Sequence, residues 1–143
     1  MKIVVDTNIM FSYFWEKSLT KKILQIKKID FFTPHYAIKE LDKYKYEILK
    51  KAKITSFKFN KAKDELKKDI TIIPIKTYIN KFKNIKSIPD EKDIDFIALC
   101  LELKTVLWSN DNVLKNQNYV TIFNTKEILI ILKKLGYYPL LFK

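Results

Sequence analysis

The acidic residues of this sequence are the ones best suited to form a catalytic or metal-binding site. Four stand out, scattered along the chain: Asp6, Glu40, Asp93 and Asp111. Asp6 and Asp111 follow apolar runs that predict strands, and open α/β sheets bind ligands beyond the carboxyl ends of their strands. Asp93 lies in the first turn of a predicted apolar helix, and Glu40 flanks the predicted buried stripe of another. We therefore expect the four carboxylates to share one crevice.

Such a cluster favours a hard divalent cation. Carboxylates gathered in one place repel one another and resist ionisation. Mg²⁺ or Mn²⁺ removes that cost and prefers oxygen ligands. Beside a phosphodiester, such an ion can activate water and neutralise the charge that develops on the phosphate. The chain has one His, which leaves little for a His-based or zinc mechanism.

Each acid also has a purely structural interpretation. Asp6 could open a helix, and Asp93 could merely help to cap its own helix. Asp111 stands between two asparagines, as in many turns, and Glu40 could be a half-exposed surface acid. Taken singly, Glu40 and Asp93 favour the structural interpretation. Only the four together favour a site.

The elements that must position these acids alternate between strand and helix. Strands are predicted at 2–5, 30–33, 70–73, 105–108 and 120–123, and helices at 8–16, 19–28, 34–51, 54–69, 76–85, 90–103 and after residue 124. Residues 111–115 predict one further helical turn. Thr33 and Pro34 predict a cap followed by proline at the first helical position. Asn124 with Glu127 predicts a capping box, and Gly136 a left-handed helix end. The alternation indicates one α/β domain over residues 1–143, with a mostly parallel sheet covered on both faces.

The charge of the chain points to a polyanionic partner. The net charge is +12, and all 28 basic residues are Lys. Such a field attracts nucleic acid. Lys is a point charge without the planar fork that reads guanine, so backbone contact is favoured over sequence reading. A bias of composition toward Lys, Ile and Asn is the alternative explanation.

The sequence gives little support for a membrane-spanning, secreted or disulfide-rich protein. The longest apolar run, residues 96–101, is too short to cross a bilayer, and the N-terminus lacks the pattern of a signal peptide. One cysteine, Cys100, cannot form an internal disulfide framework. We expect a cytoplasmic protein without a membrane partner.

Four motifs carry a resemblance to a known family. VVDTN at 4–8, YAIKEL at 36–41, DEKDIDFIALCL at 90–101 and WSND at 108–111 resemble the four acidic motifs of PIN domains. Each motif is weak alone, but their order and spacing are fairly specific and span almost the whole chain. The third motif holds three acids. Asp93 is the best match because it stands four residues before Ile97, and Asp95 and Asp90 are the alternatives.

The resemblance implies a fold and an activity. The fold is a three-layer α/β/α domain with sheet order 3-2-1-4-5. The activity is Mg²⁺- or Mn²⁺-dependent cleavage of RNA by in-line attack of water, leaving a 5′-phosphate and a 3′-hydroxyl. By carry-over, Asp6, Glu40, Asp93 and Asp111 would be the catalytic metal ligands, oriented by Asn8 and Ser109. Many small prokaryotic members are toxins neutralised by an antitoxin, and many form homodimers.

A lysine-rich stretch beside Glu40 is a candidate RNA surface. Lys43, Lys50, Lys51 and Lys53 belong to a run of eleven lysines between residues 39 and 68, interleaved with aromatic residues. Aromatic rings among basic residues can stack on unpaired bases. The alternative is a solvated helix face with the aromatic residues in the core.

Two other functions compete with an active ribonuclease. One is a non-catalytic PIN-like module that binds RNA. The other is a phosphoaspartate phosphatase or receiver domain, which also places Asp after the first strand. Asn8 stands where that phosphatase needs a second carboxylate, and Pro74 follows the third predicted strand where a receiver needs Asp.

Overall fold

The structure, a computed structural model, describes residues 1–142. Within them, five strands form one sheet in the order β3-β2-β1-β4-β5, and every neighbouring pair is parallel. The strands are β1 (Lys2–Val5), β2 (Asp30–Pro34), β3 (Thr71–Ile73), β4 (Val106–Trp108) and β5 (Ile122–Phe123). The α/β class and the order 3-2-1-4-5 are confirmed.

The helices of the described residues connect these strands and cover the sheet. They are α1 (Thr7–Phe11), α2 (Leu19–Leu24), α3 (His35–Lys43), α4 (Lys45–Ala52), α5 (Ser56–Asp69), α6 (Ile94–Leu103) and α7 (Thr125–Lys134). Shorter 3-10 segments lie at Ser12–Phe14, Ile75–Thr77, Ile79–Asn84, Glu91–Asp93, Asn112–Asn116 and Tyr138–Phe142. No helix within residues 1–142 is long and apolar enough to span a membrane.

The core lies on both faces of the central strand. Ile3, Val4 and Val5 of β1 are each at most 1% exposed, as a parallel strand covered by helices on both sides requires. Trp108 of β4 is fully buried and donates its Nε1–H to Thr125 Oγ1 over 3.0 Å. Helix α6 packs against β1, β2 and β4. This arrangement fixes the ends of β1 and β4, where two of the candidate acids lie.

The structure corrects the predicted start of α3. Thr33 does not cap the helix: its hydroxyl donates to the Val5 carbonyl over 2.9 Å, and Pro34 is the last residue of β2. Pro34 still immediately precedes the helix, but with extended backbone angles. Pairing of β2 with β1 takes precedence over the local capping preference. The predicted helix through residue 51 is also interrupted, since the chain leaves helical geometry at Tyr44 before α4 begins.

Other boundaries differ by a few residues. The predicted 8–16 helix is a five-residue α-helix followed by a 3-10 turn, and the predicted 76–85 helix is 3-10 throughout its regular part. The capping box of Asn124 and Glu127 is confirmed, and Gly136 has φ +79°. In the C-terminal tail Leu141 is buried against the core, while Phe142 is 66% exposed.

Candidate active site

A cleft of about 430 Å³ opens at the carboxyl ends of β1 and β4. Adjacent parallel strands end at the same edge of a sheet, so Asp6 after β1 and Asp111 after β4 reach it together. Six acids line the cleft: Asp6, Glu40, Glu47, Asp90, Asp93 and Asp111. The four acids singled out in the sequence therefore share one opening, although they come from four separate segments.

Asp6 is held by two hydrogen bonds and is 6% exposed. Its Oδ1 accepts the backbone N–H of Asn8 over 3.1 Å, and its Oδ2 accepts the hydroxyl of Ser109 over 2.5 Å. The first bond caps α1, so the structural interpretation of Asp6 is also true. Asn8 lines the cleft, but it orients Asp6 through its backbone, a contact that any residue except proline could make.

Ser109 connects two of the acids. Besides donating to Asp6, its Oγ accepts the backbone N–H of Asp111 over 3.1 Å. Asp111 is exposed, and its Oδ1 accepts the N–H of Val113, which caps the following 3-10 turn. One fully buried hydroxyl thus fixes the Asp6 carboxylate and the backbone of Asp111 relative to each other.

Glu40 is positioned by Thr7, which was not among the predicted site residues. Thr7 Oγ1 donates to Glu40 Oε1 over 2.7 Å, joining the start of α1 to the middle of α3 across 33 residues of sequence. The only signal for Thr7 was its place after Asp6 in the first motif. Because the bond engages Oε1, the half-buried Glu40 carboxylate is held in one orientation and is not a freely moving surface acid.

The three acids of the third motif differ in their hydrogen bonds and in whether they line the cleft. Asp93 is the N-cap residue of α6, yet its side chain makes no capping hydrogen bond, so its carboxylate is available to the cleft. Asp90 Oδ1 accepts the N–H of Lys92 over 3.0 Å at the cleft rim. Asp95 Oδ2 accepts the hydroxyl of the buried Tyr78 over 2.5 Å, and Asp95 does not line the cleft.

Burial and mutual repulsion raise the pKa of three of these acids. The pKa of Asp93 rises to about 7, chiefly because the carboxyl is partly desolvated and then because Asp6, Asp90, Asp111 and Glu40 surround it. Burial likewise raises the pKa of Asp6, although Ser109 and the backbone of Asn8 partly offset the effect.

The pKa of Glu40 is also raised, but three neighbouring groups oppose the shift. Burial raises the pKa of Glu40, and the nearby charge of Asp6 adds to it. The Thr7 hydroxyl, Lys92 and Lys43 act in the opposite direction by favouring the carboxylate. Burial and like charge in the cleft therefore disfavour the ionised form of these acids more than the neighbouring hydroxyls and lysines favour it.

The chemistry of the donor set fits a hard divalent cation. All the candidate ligands are carboxylate oxygens, and a bound Mg²⁺ or Mn²⁺ would relieve the repulsion that raises their pKa values. Within residues 1–142, however, no three His, Cys, Asp or Glu side chains stand arranged so that they could already hold a metal ion. The cleft brings the donors together without enclosing a coordination site.

Of the predicted RNA-binding lysines, two lie beside the cleft. Lys51 lines it, together with Glu47 one helical turn earlier on α4, and Lys43 borders Glu40. Lys50 and Lys53 are exposed on the same part of the chain but line neither cavity. Glu47 and Lys92 were not selected from the sequence. Because α3 ends at Tyr44, a separate helix, α4, follows it, and Glu47 and Lys51 of α4 line the cleft.

The aromatic residues of the lysine-rich stretch divide into two groups. Phe59 is fully buried and stacks on Phe14 at 4.8 Å between ring centroids. Tyr46 and Phe57 are 80% and 77% exposed. The core interpretation is therefore correct for Phe59 and wrong for the two exposed rings.

Comparisons with known proteins give a family and a fold. A family model of the PIN domain matches residues 4–132. The chain is also similar to a chain in the crystal structure of VapBC2 from Rickettsia felis bound to a DNA fragment from their promoter. The sequence identity is 15% and the TM-score 0.62, and the similarity covers 87% of this chain and 98% of that chain. At this identity the structural similarity concerns the fold alone. A comparison of the sequence with curated proteins found no match.

Proposed function

This chain belongs to the PIN-domain family, and we propose that it is a divalent-metal-dependent endoribonuclease. In this proposal residues 1–143 form one nuclease domain, and the cleft beyond β1 and β4 is its active site. The substrate is RNA, and the products carry a 5′-phosphate and a 3′-hydroxyl, as the resemblance implies.

One observation carries the proposal. Four separate segments bring Asp6, Glu40, Asp93 and Asp111 to a single cleft, and the hydroxyls of the buried Thr7 and Ser109 hold two of these carboxylates in place. Like-charged groups brought together against their repulsion are typical of functional sites. Folding stability alone gives no reason to gather them.

These four acids would hold Mg²⁺ or Mn²⁺ directly or through water. When bound, the cation supplies charge neutralisation at the phosphate and lowers the pKa of the attacking water. Ser109 and the Asn8 backbone keep Asp6 oriented, while Thr7 keeps Glu40 turned toward the cleft. Mutation of residues that orient metal ligands in this way usually lowers metal affinity or activity by about 10- to 100-fold.

An activity assay with Asp6→Asn tests the proposal. We expect the wild-type protein to cleave single-stranded RNA when Mn²⁺ or Mg²⁺ is added and not in the presence of EDTA. Asp6→Asn should lose the cleavage. Asp64→Asn is the matched control, because Asp64 is an exposed acid on α5 outside the cleft, and it should cleave like the wild type.

The same assay separates the competing function. If the wild type binds RNA but neither it nor Asp6→Asn cleaves it under any metal condition, the chain is a binding module. If both proteins cleave equally, Asp6 has no catalytic role and the cleft is not the active site.

We also propose that the chain is the toxin of a toxin–antitoxin pair. Many small prokaryotic PIN domains have this role, and the structurally similar VapBC2 protein was crystallised as an assembly with promoter DNA. Expression of the chain alone in bacteria should arrest growth, and Asp6→Asn should not. Co-expression of the neighbouring reading frame should relieve the arrest, and continued arrest would argue against that partner. A homodimer stays a prediction.

A further inference from the structure

Two further cavities continue the acidic cleft along α3. A small cavity of about 130 Å³ shares Glu40, Tyr44 and Lys92 with the cleft. It shares Tyr36 and Lys39 with a third cavity of about 350 Å³, which reaches Pro74 and Ile75 after β3. We call the second and third cavities together the lysine groove. Through these shared lining residues, the lysine groove lies directly beside the cleft.

Three lysines line the groove where it leaves the cleft. Lys39 and Lys43 stand one turn apart on α3, and Lys92 comes from the 3-10 segment before α6. The ion pairs found among residues 1–142 use other lysines, so none of these three is held in a direct ion pair there, although Lys43 and Lys92 lie close enough to Glu40 to favour its carboxylate. At the far end Asp95 is an acid, but its Oδ2 is engaged by Tyr78.

The position of these charges matters because the cleft itself repels a polyanion. Six carboxylates at the site oppose the approach of phosphates. Positive charge at the border of the site offsets that repulsion and favours entry along one direction. A lysine-rich face is commonly just solvated, but these lysines surround cavities that open onto the acids.

An aromatic ring stands between the two cavities of the groove. Tyr36 lines both of them and is only partly buried. Its ring meets the buried Phe96 edge-on, with centroids 6.5 Å apart and planes at 72°. Phe96 also lines the cleft, so the packing that shapes the active site also holds Tyr36 in place. A fixed ring among lysines is a stacking surface for an unpaired base.

We propose that the lysine groove binds the single-stranded nucleotides next to the cleaved bond. Lys39, Lys43 and Lys92 contact the backbone phosphates, and Tyr36 stacks on one base. A fully paired duplex cannot present that base, so the substrate is unpaired beside the cut. This inference rests on the proposed ribonuclease function and deepens it.

The phosphate contacts are tested by the salt dependence of RNA binding. All proteins carry Asp6→Asn, so that RNA is bound without being cut, and the probe is a short single-stranded RNA. Replacing Lys39, Lys43 and Lys92 with Ala should reduce the slope of log affinity against log salt concentration by about 2, at roughly 0.7 per single-strand phosphate contact. The control replaces Lys126, Lys133 and Lys134, exposed lysines on α7, and removes the same charge. Its slope should stay at the parent value.

The stacking contact is tested by two substitutions at one position. Tyr36→Phe keeps the ring and should bind the single-stranded RNA as the parent does. Tyr36→Ala should weaken binding roughly 5- to 150-fold, the range measured for loss of one stacked base. Circular dichroism spectra matching the parent would show that the Ala variant is folded.

The outcomes separate this inference from the proposed function. If the wild type cleaves RNA but the groove triple variant binds like the α7 control, the groove proposal is overturned and the ribonuclease stands. Equal losses in both triple variants also overturn it, because they would reflect the general field of the protein. If the wild type neither binds nor cleaves RNA, both proposals fail.

Discussion

At the residue scale, the candidate site depends on a few hydroxyl groups that hold acids against one another. Ser109 is fully buried, donates to Asp6 and accepts from the backbone of Asp111. Thr7 likewise donates its hydroxyl to a carboxylate, that of Glu40. A short hydroxyl side chain is suited to this task, since it can donate to a carboxylate and accept a backbone N–H at once.

Replacing Ser109 with Ala should affect both stability and metal binding. The buried Asp6 carboxylate loses its donor and the Asp111 N–H its acceptor, which costs roughly 1–3 kcal/mol of unfolding free energy. We expect Mn²⁺ affinity to fall about 10- to 100-fold. Chemical denaturation and metal titration measure the two effects.

Ser87→Ala is the control, because Ser87 is exposed and uses only its backbone N–H. Its unfolding free energy should stay within about 0.5 kcal/mol of the wild-type value. Unchanged metal affinity in Ser109→Ala would contradict its positioning role.

The raised pKa of Asp93 predicts how the metal-free protein responds to pH. The folded state holds the Asp93 proton up to about pH 7, whereas the unfolded chain releases it near the ordinary value of 3.8. An acid whose pKa is raised by folding stabilises the folded state below the unfolded pKa, and this contribution is lost as pH rises through the folded pKa. In EDTA, the melting temperature should therefore fall between about pH 4 and pH 7.

Two comparisons check this pH dependence by thermal denaturation. Asp93→Asn should show a smaller fall over that range, while the exposed Asp64→Asn keeps the wild-type profile. Added Mn²⁺ should raise the melting temperature more above pH 7 than near pH 5, because only the deprotonated acids bind it. A melting temperature that rises with pH in EDTA would contradict the assigned repulsion.

At the element scale, the site owes its shape to where helices end. The break at Tyr44 separates α3, which carries Glu40, from α4, which carries Glu47 and Lys51. Two other helices end on lysines in the left-handed conformation: Lys53 after α4 has φ 55°, and Lys104 after α6 has φ 54°. These positions cost energy for any residue with a Cβ and favour glycine.

Lys104→Gly should therefore stabilise the protein. Residue 104 keeps the same left-handed geometry, and removal of the Cβ relieves roughly 1 kcal/mol of strain, less the entropy that glycine gains in the unfolded chain. We expect a net increase in unfolding free energy of about 0.5 kcal/mol, measured by urea denaturation. Lys134→Gly is the control, because Lys134 is helical in α7 and the substitution should cost up to about 1 kcal/mol. Loss of stability in Lys104→Gly would show that its side chain makes a contact worth more than the strain.

At the scale of the whole molecule, positive charge dominates. The net charge of +12 is opposed locally by the acids of the cleft, so a positive field surrounds a locally acidic depression. Three ion pairs occur among residues 1–142, and each involves partly exposed side chains. Exposed pairs of this kind contribute little. Self-repulsion of the unpaired lysines opposes the compact state.

Salt should consequently stabilise the protein in the absence of RNA. Raising KCl from about 0.01 M to about 0.15 M shortens the screening length from about 30 Å to about 8 Å, which weakens lysine–lysine repulsion more in the folded state than in the expanded chain. We expect a higher melting temperature at the higher concentration. A variant with Lys133→Glu and Lys134→Glu, at exposed positions, should depend less on salt. A melting temperature that falls with KCl would mean that ion pairs outweigh the repulsion.

Features that depend on residues close together in the chain could be predicted from the amino-acid sequence. Alternating apolar runs predicted the strands and helices, and the parallel arrangement follows from that alternation. The Asn124–Glu127 capping box and the left-handed Gly136 needed only contacts within a few residues. Asp6 and Asp111 were placed at the same edge because both follow strands of a parallel sheet.

Tertiary structure alone decided what depends on distant partners. The Thr33 hydroxyl donates to the Val5 carbonyl and does not cap the helix. The hydroxyls of Thr7 and Tyr78 donate to the carboxylates of Glu40 and Asp95. The Asp93 side chain makes no capping hydrogen bond and lines the cleft. No local pattern encodes these contacts, since a hydroxyl chooses between a nearby backbone group and a remote acceptor only when strand order has brought that acceptor within hydrogen-bond distance.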